Sequence, residues 1–453
     1  MPTTLGRHAV VLGASMAGLL AARVLIEAFE RVTIVERDEL PAGPVDRRGV
    51  PQALQVHALL PRGNRILEAL FPGLTRRAVA DGALTADGGA RLRLVFGGHR
   101  LARAATGDVG LFASRLLLEH HVREAVRAIP WVTVRDGCDV LRPVADGSAV
   151  TGVEIRRHDG TAPVEILAAD LVVDATGRGS RTPVWLAEMG RTAPPEDRIV
   201  VDVGYVTGRF RLRPGALDGD VGILVSACPG TTRGGGLFAV EDGECTAGLA
   251  GTFGDHPPTD LARFLDFAGT LAVPDMREAL VGAELLGPLR PARFPANVRR
   301  RYDRLTDLPE RYLVVGDALC GFNPIYGQGM TIAAIEAELL QGLLAKGAIP
   351  AARTWFTAAI RALTPAWDLA TGSDLLDPRV EGPRSAVGGL VNSYVARFQA
   401  AAVHDAELSR VFSEVSGMLT APPALMRPDR MAKVLWATRH RAGRPAPAVA
   451  ARS

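Results

Sequence analysis

Tyr312-Leu313-Val314-Val315-Gly316-Asp317-Ala318, continuing to Asn323-Pro324-Ile325-Tyr326-Gly327-Gln328-Gly329-Met330, is the stretch on which the fold turns. Its apolar start predicts a buried strand. Gly316-Asp317 stops that strand in a tight turn, a loop with Pro324, Gly327 and Gly329 follows, and an apolar-faced helix begins near Gln328. Such a strand, turn and helix N-terminus form a holder for a polar ligand, because unpaired backbone N–H groups converge there. The stretch alone leaves the ligand open.

The N-terminus carries a related device. His8–Leu12 reads as a strand, Met16–Phe29 as a helix and Val32–Val35 as a second strand. Between the first two lies Gly13-Ala14-Ser15-Met16-Ala17-Gly18, a dinucleotide fingerprint with Ser15 at its middle glycine. Gly13 permits the turn, Gly18 lets the helix approach the sheet, and Glu36 ends the second strand where an acid can accept from ribose hydroxyls. Arg37 is a candidate for adenine or phosphate contact, or a solvated side chain. Arg47 and Arg48 suit a pyrophosphate or ribose through the guanidinium fork. A third Gly turn follows the buried run Leu171–Asp174, at Ala175-Thr176-Gly177.

Helices are expected at Gln52–Leu70, with His57 more simply packed than catalytic, and at Leu116–Ala128. Short strands between 131 and 167 form a meander. Strand-like runs at 91–101, 197–210, 221–227, 236–240 and 244–251 predict an antiparallel sheet inserted between nucleotide-binding elements. Pro288–Asn297 reads as an edge strand or linker. Arg299-Arg300-Arg301 reads as a solvated turn, and three further helices are expected near 349–368, 386–404 and 408–419.

The 453 residues allow two or three structural units, and a formal net charge of +3 without basic blocks gives no argument for nucleic acid. Cys138, Cys228, Cys245 and Cys320 are scattered, and the histidines form no ligand set, so neither a disulfide framework nor a metal site is expected and a reducing cytoplasm fits. The apolar segment Ala9–Leu25 is interrupted by Gly13, Gly18 and Arg23 and reads as part of a βαβ unit rather than a membrane span.

Three separated Gly turns with an inserted sheet resemble the FAD-dependent aromatic hydroxylase family, the p-hydroxybenzoate hydroxylase fold, over roughly residues 1–345. Arg47-Arg48-Gly49-Val50-Pro51-Gln52 is similar to a loop of bacterial natural-product monooxygenases, including polyether epoxidases, as are Asn392–Phe398 and Pro422–Leu435. The resemblance implies an α/β chain: a discontinuous Rossmann-like FAD-binding domain (1–72, 111–195, 311–345), an inserted β-sheet substrate domain (73–110, 196–310), a C-terminal helical region (346–441) and a disordered tail (442–453). It implies that Gly13, Ser15 and Gly18 hold the FAD pyrophosphate and that Glu36 holds the ribose. Arg47 and Arg115 would approach FAD, and the Val140 backbone the adenine. Asp317 would bind the ribityl chain. Pro324 would line the place where the flavin hydroperoxide forms, and Gly327, Gly329 and Met330 would meet the ring. Tyr205, Phe210, Leu224 and Phe238 are candidates for the pocket of a bulky, apolar substrate, which would be hydroxylated or epoxidised with O2.

The family's Asp-Gly motif aligns on Thr176-Gly177, which leaves open whether NAD(P)H reduces the flavin directly or a separate flavin reductase does. Halogenases share the nucleotide fold but use a lysine in the N-terminal half and a Trp-x-Trp motif; here the only lysines are Lys346 and Lys433 and every tryptophan is isolated. A reductase of prenyl or polyketide chains and a non-catalytic flavin-binding protein are the alternatives.

Overall fold

The computed structural model describes residues 4–57, 59–228 and 230–441. Gly6–Leu12 is the central strand of a five-stranded parallel sheet. Leu171–Asp174 and then Tyr312–Val314 lie on one side of it, Phe29–Val35 and then Val132–Arg135 on the other. The apolar runs are buried on both faces, as a helix-covered parallel sheet requires. The three Gly turns therefore follow the carboxyl ends of three adjacent strands, the edge where open α/β sheets bind ligands.

The fingerprint helix spans Met16–Leu25 and stops short of Phe29, which begins the next strand opposite Gly6. No single helix covers 52–70. Pro51–Leu54 is a 3-10 turn and the helix is Pro61–Leu70, because Pro61 fits the first helical turn but would break a helix interior.

The second sheet has nine strands. Its long strand Glu196–Arg211 lies between Arg290–Arg300 and Cys245–Thr252; Gly234–Ala239, Gly222–Val225 and Leu92–Phe96 follow outward. The sheet is not wholly antiparallel, since Gly222–Val225 runs parallel to Leu92–Phe96. One face packs on the helices Leu261–Ala268 and Asp275–Leu280 through Phe210, Leu237, Leu249, Phe264 and Met276. The prolines at 291 and 295 sit where Arg290–Arg300 pairs only with the long strand, which is the edge position a missing N–H tolerates. Cys138–Asp146, Ala149–Arg157 and Glu165–Ala168 form the meander as a separate three-stranded sheet.

The Arg299–Arg301 run is not a solvated turn. Arg299 and Arg300 end a strand, and the three guanidinium groups pair with Asp197, Glu196 and Asp303. The helix after 349 is Ala352–Asp374, longer than expected; its Trp355 indole N–H donates to the Val314 carbonyl at 3.1 Å and so docks it on the edge of the parallel sheet. Ala386–Ala402, Ala406–Ser416 and Pro428–Arg441 complete the helices. The tail expected at 442–453 lies outside the described residues.

A Cβ at Gly18 would stand 1.9 Å from the Gly13 carbonyl oxygen, and one at Gly13, where φ is +97°, would stand 2.7 Å from that of Ala175. Gly18→Ala is expected to cost about 3 kcal/mol or more by backbone displacement. At Gly179, where nothing lies within 4 Å, the same change is expected to stay within about 0.5 kcal/mol. Urea unfolding of the two variants measures the difference.

Candidate functional site

At the fingerprint, Ser15 precedes the helix without capping it through its side chain. The first helical N–H groups are thus left for an anion. The Ser15 hydroxyl instead accepts from Arg115 Nη2 at 2.9 Å and donates to Glu119 at 3.3 Å. Glu119 also receives Arg115 at 2.6 Å and Arg47 at 3.1 Å. Burial alone would push the Glu119 carboxyl up, but Arg115 and Arg47 outweigh it and hold the group below the usual carboxylate range. Glu36 is buried and accepts the Ala14 N–H at 2.7 Å and the Asp38 N–H at 3.0 Å, with Arg47 at 3.2 Å. It therefore holds the turn as well as ending its strand. Arg37 is exposed, and Val140 lies at a register shift in the meander.

Gly316 has φ +63°, and a Cβ there would stand 2.8 Å from that of Ala17, so the third turn rests on the fingerprint helix. Asp317 is half-buried and its carboxylate has no hydrogen-bond partner among the described residues; burial raises its pKa against the pull of Arg178 and Arg115. Beneath it the buried Glu336 accepts the Gly316 N–H at 2.6 Å. Burial pushes Glu336 up to about 8, so it is a neutral acid at pH 7. The helix that carries it, Gly329–Leu344, has no side-chain cap. Gln328 Oε1 and Thr331 Oγ1 at its start are buried without partners.

The intervening loop is held by a polar network. Asn323 caps the Pro324–Tyr326 turn by accepting the Ile325 N–H at 3.3 Å and also accepts the Tyr205 hydroxyl. Its backbone N–H donates to Asn297 Oδ1 at 2.6 Å. Asp374, ending the long C-terminal helix, receives Tyr326 at 2.8 Å, Asn323 at 3.1 Å and Asn297 at 2.7 Å. Burial raises the Asp374 pKa against these donors. Pro324 and Gly329 are exposed, Gly327 is left-handed at φ +64° and Met330 is buried. Tyr205 is thus bound to this loop.

Of the other pocket candidates, Leu224 and Phe238 pack with Val56, Ala86 and Phe112. Phe210 does not join them. It is fully buried on the opposite face and stacks on Phe264 at 6.2 Å, because alternation along the unbroken register from Val203 to Phe210 turns it away from Tyr205, toward the helices Leu261–Ala268 and Asp275–Leu280. His57 Nδ1 donates to the Gln55 carbonyl at 2.8 Å, and burial, aided by Arg115, holds it down at about 4, so its imidazole is neutral. Cys320 is a buried thiol pushed well above its ordinary pKa by burial and is a poor nucleophile. Among the described residues no His, Cys, Asp and Glu group could hold a metal.

Thr176 donates its N–H and hydroxyl to the buried Asp174 at 2.8 and 2.6 Å. Ser180 and Thr182 donate to the same carboxylate. Glu119, Glu336, Asn323 and Asp374 are residues that sequence reasoning missed. Only Glu119 left a local sign, four residues after Arg115 on one helix.

The Gly cradle, the partnerless Asp317 and the uncapped helix starts fit a dinucleotide laid across the strand ends, and the architecture is the fold shared with FAD-binding flavoproteins. The chain is 35% identical over 355 residues to Protein Rv3254 of Mycobacterium tuberculosis (strain ATCC 25618 / H37Rv), covering 74% of this chain and 73% of that protein, and it belongs to that protein's family. No protein-family model matches it. Among solved structures it is similar to a flavoprotein/dehydrogenase from Cytophaga hutchinsonii, with TM-score 0.69, 17% identity and coverage of 96% and 99% of the two chains. It is also similar to p-nitrophenol 4-monooxygenase PnpA from Pseudomonas putida DLL-E4, with TM-score 0.65, 17% identity and coverage of 93% and 100%. The flavin-dependent halogenase CmlS matches at TM-score 0.62 and 19% identity, covering 97% of this chain and 78% of that one.

Two expectations follow from the buried acids. Because the folded pKa of Glu336 is raised to about 8 from an ordinary value of 4.5, the native state holds more protons than the unfolded state between those values. Its contribution is greatest below the lower value and is lost as pH rises through the upper one. Glu336→Gln should therefore gain stability relative to the wild type between pH 5 and pH 9, read from urea midpoints; an unchanged difference sinks the assignment. Asp374→Ala leaves three donors facing an empty site and should cost about 2–3 kcal/mol, with faster hydrogen exchange confined mainly to residues 320–330.

Proposed function

We propose that the chain is an FAD-dependent monooxygenase acting on a bulky, largely apolar small molecule. The observation that carries this reading is the stacking of the Gly316 turn on the fingerprint helix at Ala17, with an unpartnered carboxylate at Asp317 beside it. In this reading Gly13, Ser15, Gly18, Arg47 and Arg115 hold the pyrophosphate and Glu36 the ribose. Val140 meets the adenine, Asp317 accepts from the ribityl hydroxyls, and Gly327, Gly329 and Met330 meet the ring. FAD, when bound, supplies the redox chemistry that activates O2.

The chain's own contribution is placement. The N-terminus of Gly329–Leu344 favours negative charge by about 0.3–1 kcal/mol, more when partly buried. Asp374, Asn297 and Tyr205 fix Asn323, which fixes the Pro324 turn. The loop thus keeps one geometry without a nucleophile of its own. The sheet face bearing Leu224 and Phe238 supports an apolar substrate, since a dry pocket protects a reactive oxidant from water. Domain limits follow the same reading: nucleotide binding by 1–72, 111–195 and 311–345, substrate by 73–110 and 196–310, and a helical region after 346.

Lys346 and Lys433 argue against halogenation, because the first follows the Gly329–Leu344 helix and the second pairs with Glu407 on the C-terminal helices. A flavin-dependent reductase of a prenyl or polyketide chain remains the alternative; in either reading Thr176 is engaged on Asp174, so no acid stands at the motif linked to NAD(P)H. Hydride would then come from NAD(P)H elsewhere on the surface or through a flavin reductase. No helix among the described residues is long and apolar enough to cross a membrane.

The test is the spectrum of the purified protein, followed by O2 uptake with NADH, with NADPH, and with an added flavin reductase. A protein that stays colourless when given FAD sinks the flavin reading, and product formed under strict anaerobiosis favours the reductase. Asp317→Ala is expected to weaken FAD binding by tenfold or more, measured by quenching of flavin fluorescence.

A further inference from the structure

Arg115, Glu119 and Arg123 occupy successive i, i+4 positions on the helix Arg115–Arg127 and share one face. Glu119 is turned toward the first of them, with Arg47 and the Ser15 hydroxyl on its other side. Arg123 is 2% exposed yet has no carboxylate partner. Its Nη2 donates to the Gly43 carbonyl at 2.9 Å and lies 3.4 Å from His120 Nδ1, and its Nε has no partner. The charged groups that act on it are Glu119 and Glu124 on one side of the balance, Arg127 and Arg47 on the other. Arg47, Arg115, Glu119 and Arg123 line one narrow crevice against the loop that contains Val45 and Val50. The Nε atoms of Arg47 and Arg115 are buried and unpartnered there as well.

A buried cation without a counter-ion is costly, and removing it in favour of an apolar side chain is often neutral or stabilising. Glu119 already serves two guanidinium groups beside the uncapped start of the fingerprint helix. An anion arriving at that start competes with Glu119 for both arginines and repels it. The nearest unsatisfied cation on the same helix face is Arg123, one turn further on.

We propose that Arg123 is a positioning residue of the phosphate site: when a diphosphate engages Arg47 and Arg115, Glu119 transfers to Arg123. Only the bound state gives each of the three arginines a counter-charge, since Arg123 has no carboxylate partner before the ligand arrives. Without the ligand, Glu119 serves Arg47 and Arg115; with it, the two phosphate charges serve those arginines and Glu119 serves Arg123. The inference rests on the flavin reading only for the identity of the dinucleotide, and ADP presents the same diphosphate.

The experiment is a double-mutant cycle on deflavinated protein, titrated calorimetrically with FAD and separately with ADP, using wild type, Arg123→Met, Glu119→Gln and the double variant. Arg123→Met is expected to weaken both ligands at least tenfold, because the displaced carboxylate has no place to go. In the Glu119→Gln background the same change is expected to matter less than twofold. The ligand-free Arg123→Met protein should melt no lower than wild type, since it loses a lone buried charge; if it melts lower, Arg123→Gln enters the cycle under the same criterion. Equal losses in both backgrounds, or no loss in either, overturn the exchange. Wild-type protein that binds ADP with the expected coupling but not FAD overturns the flavin reading and sustains the exchange. Binding of neither overturns the exchange.

Discussion

The separation between the fingerprint helix and the strand ends is the constraint on which the rest depends. Gly18 stands so close to the Gly13 carbonyl that no side chain fits, and a side chain at Gly13 would likewise crowd the Ala175 carbonyl. These contacts bring the start of one helix over two strand ends. The third turn then settles on Ala17 of the same helix. Segments separated by about 300 positions in the chain are thereby set against one helix N-terminus, with backbone rather than long side chains determining the spacing.

Around that spacing the chain distributes buried carboxyl groups that accept backbone or side-chain donors. Glu36 holds the first turn and Asp174 the second, and Glu336 supports the third as a neutral acid. Asp374 ties the loop that follows. A buried carboxylate with several donors costs little and restricts the backbone to one arrangement, whereas the same group with donors missing would be strongly unfavourable. Asp317 departs from this pattern, since its carboxylate is left without a donor in a region where every comparable group has one.

The turns and the parallel sheet were legible because their chemistry is local: a strand ends, a glycine takes a left-handed or crowded position, and a helix begins. The Arg47–Glu119 pair and the Asp374 network were not, since their partners lie 72 and 51 residues apart and no short-range pattern links them. Phe210 shows a second limit. Strand alternation separates Phe210 from Tyr205, five positions earlier, but which face the helices cover is set by Leu261–Ala268 and Asp275–Leu280 some 50 residues on, and nothing in the strand's own apolar pattern marks it. The arginine run at 299–301 failed for the same reason as the network: Asp197 and Glu196 neutralise it across the sheet from about 100 positions away.

Asp374 has a consequence for the order in which the molecule can be completed. The strand Tyr312–Val314 and the loop after it are synthesised some 50 residues before the carboxylate that fixes Asn323 and Tyr326. A growing chain can close its parallel sheet, and with it the fingerprint turn, while the loop after Tyr312–Val314 still lacks its anchor. The turns at the strand ends and the loop that meets the inserted sheet are therefore finished at different times, the loop last, by a helix that belongs to neither sheet.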